Sequence, residues 1–224
     1  KVLLQCMQEN NVKNIIFSSS CTVYGMPDVL PVDESAPFKK AESPYGETKQ
    51  ICEQMLKEDA CHSVALRYFN PIGSHSTALI GDCSADKPSN LVPIITEVAI
   101  GKREKITVFG DDYNTPDGTC IRDYIHVVDL AKSHVKAMNF LINNAGKHAF
   151  NVGTGIGISV LDAIKAFEQT NKLSINYSIG QRRDGDIEQI YANGSLIKEK
   201  LGWEAKETLE DSMKSAWDWE KQKN

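Results

Sequence analysis

The sequence predicts an α/β fold in which helices cover a parallel sheet, and three observations lead there. Apolar runs of strand length alternate with stretches of helical period along the chain. The first strand-like run, with Ile15, Ile16 and Phe17, ends in three small polar residues, Ser18-Ser19-Ser20. A strong helix start follows at Ser43-Pro44, since Ser caps a helix well and Pro is tolerated at its first position.

Taken in order, 2–9 reads as the end of a helix and 14–19 as a buried strand. Pro27, Pro31 and Pro37 mark an irregular loop before a helix from Pro44 to about Asp59. The next strand runs from His62 to Phe69, where Asn70-Pro71 stops it. From Gly73 to Asp123 the pattern loosens into an inserted or second lobe. It holds a helix near 91–100, a strand near 106–109 and the turn-rich segment 110–119. The stretch 124–143 places Val127, Leu130, Ala131, Val135, Met138 and Leu141 at helical spacing, and 149–152 is strand-like. Helices near 159–170 and 208–221 close the chain, with Val160, Ile164, Phe167, Trp217 and Trp219 expected in the core.

Composition bounds what such a chain does. At 224 residues it holds about 1.5 average domains, and 41% hydrophobic with 25% charged residues is ordinary for a folded globular chain. The formal net charge of -5 offers no footprint for nucleic acid or anionic lipid. No apolar run approaches the ~20 residues of a membrane helix, and no signal-peptide core is present, so the expected location is cytoplasmic. Six cysteines without a C-x-x-C pair fit a reduced compartment, and the five histidines lack zinc-like spacing, so no metal is expected.

Chemistry concentrates in three places. Ser18-Ser19-Ser20 and Tyr68-Phe69-Asn70-Pro71 lie at the ends of successive strands, where open α/β sheets bind ligands. Tyr45 and Lys49, four apart on the intervening helix, share a face, and an ammonium beside a phenol favours the phenolate, a usable base. Seven Tyr and twenty Lys predict about 0.6 such pairs by chance, so the pair gains weight only from its position 25 residues after the hydroxyl cluster.

The second place is Gly153-Thr154-Gly155-Ile156-Gly157, which fails the dinucleotide fingerprint because Ile158 stands where a Gly is required. A tight strand-to-helix turn capped by Ser159 is the preferred reading. The third is a scattered set. Arg122 and Arg183 suit a diphosphate, Asp186 suits ribose hydroxyls, and Asn70 and Asn90 are further polar candidates. Phe109 is either a stacking platform or a core strand residue.

With these residues placed, the chain resembles the extended short-chain dehydrogenases/reductases, and among them the UDP-glucose 4-epimerase family. The match is carried by Ser18-Ser-Ser-Cys-Thr-Val-Tyr-Gly25, Ser43-Pro-Tyr-Gly46 with Lys49, Arg67-Tyr-Phe-Asn-Pro71 and Asn90-Leu91. It continues in Asp112-Tyr113, Asp117-Gly-Thr119, Arg122-Asp-Tyr-Ile-His-Val127 and Arg182-Arg-Asp-Gly-Asp186. The resemblance implies a partial Rossmann-like, doubly wound parallel sheet with a smaller α/β substrate lobe. Residues 1–73 would form the second half of an NAD-binding domain and 74–224 mainly a UDP-sugar lobe, with about 124–153 returning to the first.

It further implies interconversion of UDP-galactose and UDP-glucose, in which NAD oxidises C4, the 4-keto sugar rotates, and hydride returns to its other face. Tyr45 would be the base, Ser20 would bind the 4-hydroxyl, and Lys49 would bind the nicotinamide ribose. Ser18, Ser19 and Tyr68 would line the cofactor. Ser20, Cys21, Thr22, Tyr68, Phe69, Asn70, Asn90, Leu91, Arg122, Arg183 and Asp186 would hold the substrate, with Thr107 and Phe109 around the uracil and Ile190 at the sugar pocket. An intermediate side chain at 190 leaves N-acetylated UDP-hexosamines as possible substrates. A homodimer is implied for the full-length protein.

The chain begins after the point where the family's Gly-rich NAD loop and its adenosine-ribose carboxylate would lie. One alternative is therefore a non-catalytic fragment that binds UDP weakly, and the isolated chain is expected to be inactive. The other is a nucleotide-sugar 4,6-dehydratase. That chemistry places an Asp-Glu pair just before Val-Tyr-Gly, where this chain has Cys21-Thr22.

Overall fold

The computed structural model describes residues 1–83 and 88–223. A helix α1 (Val2–Glu9) leads into strand β1 (Asn14–Ser20), a short 3-10 turn at Cys21–Tyr24, helix α2 (Pro44–Glu58) and strand β2 (His62–Tyr68). Strand β3 (Asn70–Ile72), helix α3 (Leu91–Ala99) and strands β4 (Ile106–Phe109), β5 (Ile121–Arg122) and β6 (Tyr124–His126) follow. Then come α4 (Val127–Asn143), β7 (Lys147–Val152), β8 (Ile158–Ser159), α5 (Val160–Asn171) and β9 (Tyr177–Gly180). Strand β10 (Gln189–Ile190) and helices α6 (Ser195–Leu201) and α7 (Leu209–Lys223) complete the chain.

The main sheet is parallel, in the order β1-β2-β7, and its register sets Ser19 beside Arg67 and Ser20 beside Tyr68. Two parallel pairs, β3-β6 and β4-β9, and a small mixed sheet β10-β5-β8 build the rest. This is the α/β architecture the alternating pattern predicts. Val64, Leu66, Ile125, Phe150, Val152 and Trp203 pack around the main sheet. Ile95, Ile106, Ile164, Phe167 and Met213 form a second core between β4, α5 and α7.

Four local expectations change. Strand β2 ends at Tyr68, beside Asn70-Pro71, but the chain then steps directly into a further strand, β3, with the Asn70 N–H donating to the Asp123 carbonyl, 2.9 Å. Pro71 is tolerated because this two-stranded pair needs no ladder donor there. Tyr124–His126 is a strand rather than the first helical turn, since all three residues are buried and His126 caps α4, its Nδ1 accepting from Val128 N at 3.0 Å. On α4, Leu130 and Leu141 are buried, but Val127, Ala131, Val135 and Met138 face outward along a second apolar stripe. Trp217 packs edge-on against Phe167, whereas Trp219 is half-buried and donates its Nε1–H to the Asp82 carbonyl.

The pattern also left β9 and α6 without a prediction. In β9 the apolar residues Tyr177 and Ile179 point outward, which hides the usual inward alternation. Helix α6 has only seven residues, but a signal exists in Ile197 and Leu201, four apart and buried, followed by left-handed Gly202 as C-cap.

His126 yields a pH prediction. Burial holds its imidazole below the ordinary value, against the opposing pull of the Glu207, Asp129 and Asp211 carboxylates and alongside Lys132. Its folded value lies below the unfolded value near 6.5, so its contribution to stability is complete above about pH 6.5 and is lost as pH falls through the folded value. His126→Asn, which keeps a cap acceptor, is expected to flatten the fall in melting temperature between pH 7.5 and 5.5. An unchanged slope would remove His126 as its source.

Among the described residues no helix is long and apolar enough to cross a membrane, no cluster of three His, Cys, Asp or Glu could hold a metal ion, and all six cysteines are free thiols.

Candidate active site

At the carboxyl end of β1 the strand gives way to the 3-10 turn, and the Ser20 hydroxyl accepts from Thr22 N at 3.3 Å. Helix α2 starts beside that turn. Ser43 Oγ caps it by accepting from Gly46 N at 3.1 Å, and Pro44 opens it. Gly46 allows the close approach, because a Cβ there would lie 3.1 Å from the Thr22 carbonyl. The cap and the glycine thus deliver Tyr45 and Lys49 to the strand end.

Tyr45 is 56% exposed, with its ring 5.3 Å from the Lys49 Nζ. Lys49 Nζ donates to the Ser18 carbonyl at 2.8 Å and also lies 5.0 Å from the Phe17 ring. Only one of the three ammonium donors is used in that bond. Tyr68, at the end of β2, hydrogen-bonds Ser18 Oγ at 2.8 Å and the Nε2 of His134 on α4. Burial raises the Tyr68 phenol above its ordinary value, Ser18 opposes this, and Tyr45 adds to it. Ser18, Tyr45, Lys49 and Tyr68 therefore share one locality. Thr22 Oγ1 beside them is buried without a hydrogen-bond partner among the described residues.

A cavity of about 180 Å³ opens between β3, the start of α3, β4 and the 183–186 turn. Asn70, Asn90, Leu91 and Thr107 line it, as do Phe109, Arg122, Arg183 and Asp186. Arg183 Nη2 donates to Asp186 Oδ1 at 2.9 Å, and Arg122 Nη2 lies 3.8 Å from the same oxygen. The Arg183 guanidinium sits 5.3 Å from the Phe109 ring centroid. Strand β4 alternates Ile106 and Val108 inward with Thr107 and Phe109 outward, so Phe109 lies exposed on the cavity rather than in the core.

Four predicted site residues turn their side chains away. Ser19, expected to line the cofactor, is buried and its hydroxyl donates to Glu53 Oε1 at 2.6 Å, so its side chain is engaged inside the protein; neighbours on a strand face opposite sides. Cys21, Phe69 and Ile190 pack with Val23, Tyr24 and Val32 in one apolar cluster and do not line the cavity. Burial pushes the Cys21 thiol up to about 12, against the nearby Arg122.

The glycine-rich loop 153–157 follows the turn reading. Its donors surround a carboxylate of the protein itself: Asp123 accepts from Thr154 N at 2.8 Å, Thr154 Oγ1 at 2.6 Å and Gly155 N at 2.9 Å, and also from Ala192 N at 3.1 Å. A Cβ on Gly153 would stand 2.5 Å from Asp123 Oδ2, so the glycine serves this close approach. Ser159 caps α5 by accepting from Asp162 N at 3.0 Å, while the Asp117 carboxylate accepts hydrogen bonds from the Ser159 hydroxyl and the Thr119 N–H.

Sequence reasoning missed Asp123 and His134, and it missed the pair Glu53–Arg67. A signal for the last existed, because an arginine inside the buried run Val64-Ala-Leu-Arg67 requires a partner.

The family profile described as GDP-mannose 4,6 dehydratase matches residues 1–216. UDP-glucose 4-epimerase of Drosophila melanogaster is 47% identical over 99% of this chain and 65% of its own length. That of Bacillus subtilis is 47% identical over 98% of the chain and 66% of its length. The crystal structure of UDP-glucose 4-epimerase from Bifidobacterium longum in complex with NAD+ and UDP superposes with a TM-score of 0.95 at 46% identity, over 99% of this chain and 67% of that one. The chain spans about two thirds of the length of these relatives. By identity, coverage and fold, the chain belongs to the UDP-glucose 4-epimerase family of the extended short-chain dehydrogenases/reductases.

Proposed function

We propose that the protein carrying this chain interconverts UDP-galactose and UDP-glucose by inverting C4 of the sugar. The observation that carries this reading is the placing of an exposed Tyr45 beside Lys49 at the carboxyl end of β1, with Lys49 tied to Ser18 and donors to spare. Residues 1–73, with about 124–153, hold the nicotinamide end of NAD, and the rest of 74–224 mainly holds UDP. The Thr22 hydroxyl, without a hydrogen-bond partner among the described residues, and the remaining Lys49 donors fit a polar ligand there. NAD, when bound, supplies the acceptor for hydride from the sugar C4 and returns that hydride.

Tyr45 removes the proton of the 4-hydroxyl and gives it back after the sugar has turned. Lys49 offers its remaining donors to the nicotinamide ribose and favours the phenolate. The Ser20 hydroxyl holds the sugar oxygen, while Ser18 and Tyr68 border the nicotinamide. Arg122 and Arg183 meet the diphosphate, and Asp186, whose Oδ1 lies 3.8 and 2.9 Å from their guanidinium groups and whose single charge leaves one positive charge unbalanced, faces the uridine ribose. Phe109 and Thr107 flank the uracil. Firm binding of UDP with few fixed contacts to the hexose lets the 4-keto sugar present either face. The reading includes a homodimer in the cytoplasm, with N-acetylated UDP-hexosamines as further candidate substrates.

A 4,6-dehydratase reading has no support at the sugar end. It needs a carboxyl pair where Cys21 and Thr22 stand, and a buried thiol with a raised pKa is a poor proton donor. Full-length protein loaded with NAD is expected to convert UDP-galactose to UDP-glucose in a coupled assay that oxidises UDP-glucose. Absence of interconversion would refute the function.

A further inference from the structure

We propose that the buried Glu53–Arg67 pair is a positioning element of the catalytic site, setting the rotation and height of α2 so that Tyr45 and Lys49 stand over the end of β1. The inference rests on the functional reading of Tyr45 and Lys49 above.

Tyr45, Lys49 and Glu53 are spaced by four and lie on one face of α2, Glu53 two turns or about 12 Å below Tyr45. Both members of the pair are almost fully buried, at 2% and 3% exposure. Their contact is a two-pronged fork, with Arg67 Nε to Glu53 Oε1 at 3.0 Å and Nη2 to Oε2 at 2.7 Å. The Ser19 hydroxyl adds a third bond, to Glu53 Oε1. Arg67 Nη1 donates to the Tyr24 hydroxyl at 2.9 Å, and that hydroxyl donates to Asn151 Oδ1 at 2.6 Å. The carboxylate thus ties α2 to Ser19 of β1 and Arg67 of β2, and the guanidinium extends the tie through Tyr24 to Asn151 of β7.

Each anchor adjoins a site residue. Ser19 lies between Ser18 and Ser20, Arg67 precedes Tyr68, and Glu53 follows Lys49 by one turn. Burying two charges here is not needed for stability, since apolar replacements of buried ion pairs are often neutral or stabilising. What an apolar contact lacks is direction. A helix seated on methyl groups can slide, whereas a planar fork with a third hydrogen bond admits one placement. A misplacement of about 1 Å at reacting groups lowers rates by about 100-fold.

The test uses the full-length, NAD-loaded enzyme and two variants. Arg67→Lys keeps the charge and removes the fork. The double variant Glu53→Leu/Arg67→Met removes both charges at similar volume. Each is expected to fold, with a lowered melting temperature because buried Tyr24, and in the double variant Ser19, loses a hydrogen-bond partner, and to lose about 10- to 100-fold in kcat. KM for the UDP-hexose and Kd for UDP by calorimetry should be unchanged, because the nucleotide cavity contains neither residue. A folded variant of either kind that keeps kcat within twofold, or that loses affinity for UDP in step with kcat, overturns the inference. Tyr45→Phe measured alongside separates the two ideas. Full turnover in Tyr45→Phe removes the functional reading and this inference with it, whereas its loss together with full turnover in Arg67→Lys overturns the inference alone.

Discussion

Tyr45→Phe is expected to lower turnover of the full-length, NAD-loaded enzyme by about 10²- to 10⁴-fold while leaving UDP affinity within a factor of two. The substitution removes a single oxygen from a ring that is 56% exposed, so it opens no internal cavity and leaves no buried partner unsatisfied. The Tyr45 ring lies 5.3 Å from the Lys49 ammonium at the strand end. On the proposed mechanism, removal of the phenol hydroxyl leaves the sugar hydroxyl without a base and the step that creates the 4-keto sugar without its proton acceptor. Arg122 and Arg183, the arginines proposed for the diphosphate, are on β5 and in the 183–186 turn and line a cavity that includes no residue of α2, so ground-state binding is expected to persist. An unchanged kcat would remove Tyr45 as the base, and a parallel loss of UDP affinity would show that the substitution disturbed the lobe rather than the chemistry.

The second large effect is on stability. Asp123→Ala in the full-length protein is expected to cost about 3–5 kcal/mol. Asp123 is fully buried, and its carboxylate is shared by three backbone N–H groups and the Thr154 hydroxyl, from two segments distant in sequence. Alanine leaves those donors in an apolar interior without an acceptor, each a substantial penalty. The melting temperature should fall by about 10 °C. Asp123→Asn should fall in between, since an amide offers one acceptor oxygen and turns an NH₂ group toward N–H donors. A fall below about 2 °C in the alanine variant would mean that the loop is held by something other than this carboxylate.

The two predictions show which parts of the site were legible in the residues. Ser43-Pro44 and the spacing of Tyr45 and Lys49 are local facts, written within one helical turn and its cap, and the structure shows the helix they announce. The glycine-rich loop was legible by exclusion, because a missing third glycine ruled out the dinucleotide fingerprint, and the loop proves to hold Asp123. Asp123 itself was not legible, since its partners at 154, 155 and 192 lie more than thirty residues away and nothing local marks them. The same holds for His134 on Tyr68, a contact that crosses 66 residues, whereas Arg67 in its buried run announced that it needs a partner without saying that Glu53, 14 residues away, is the one. Ser19 shows the reverse error. Three consecutive serines look equivalent in a string, but a strand sends alternate side chains to opposite faces, so the middle one enters the interior.

The sequence by itself determined the fold class, the order of most strands and helices, and the chemical types gathered at the strand ends. These follow from periodicity, caps and breakers that act over a few residues. Only the tertiary structure decided which polar groups face the cleft and which are consumed in holding it. Asp186 is set between two arginines, Phe109 is turned outward, and Ser19, Glu53 and Arg67 are spent inside. The physical reason is that burial and hydrogen-bond pairing join residues far apart along the chain, and a charged side chain shows its role only once its partner and its solvent are known.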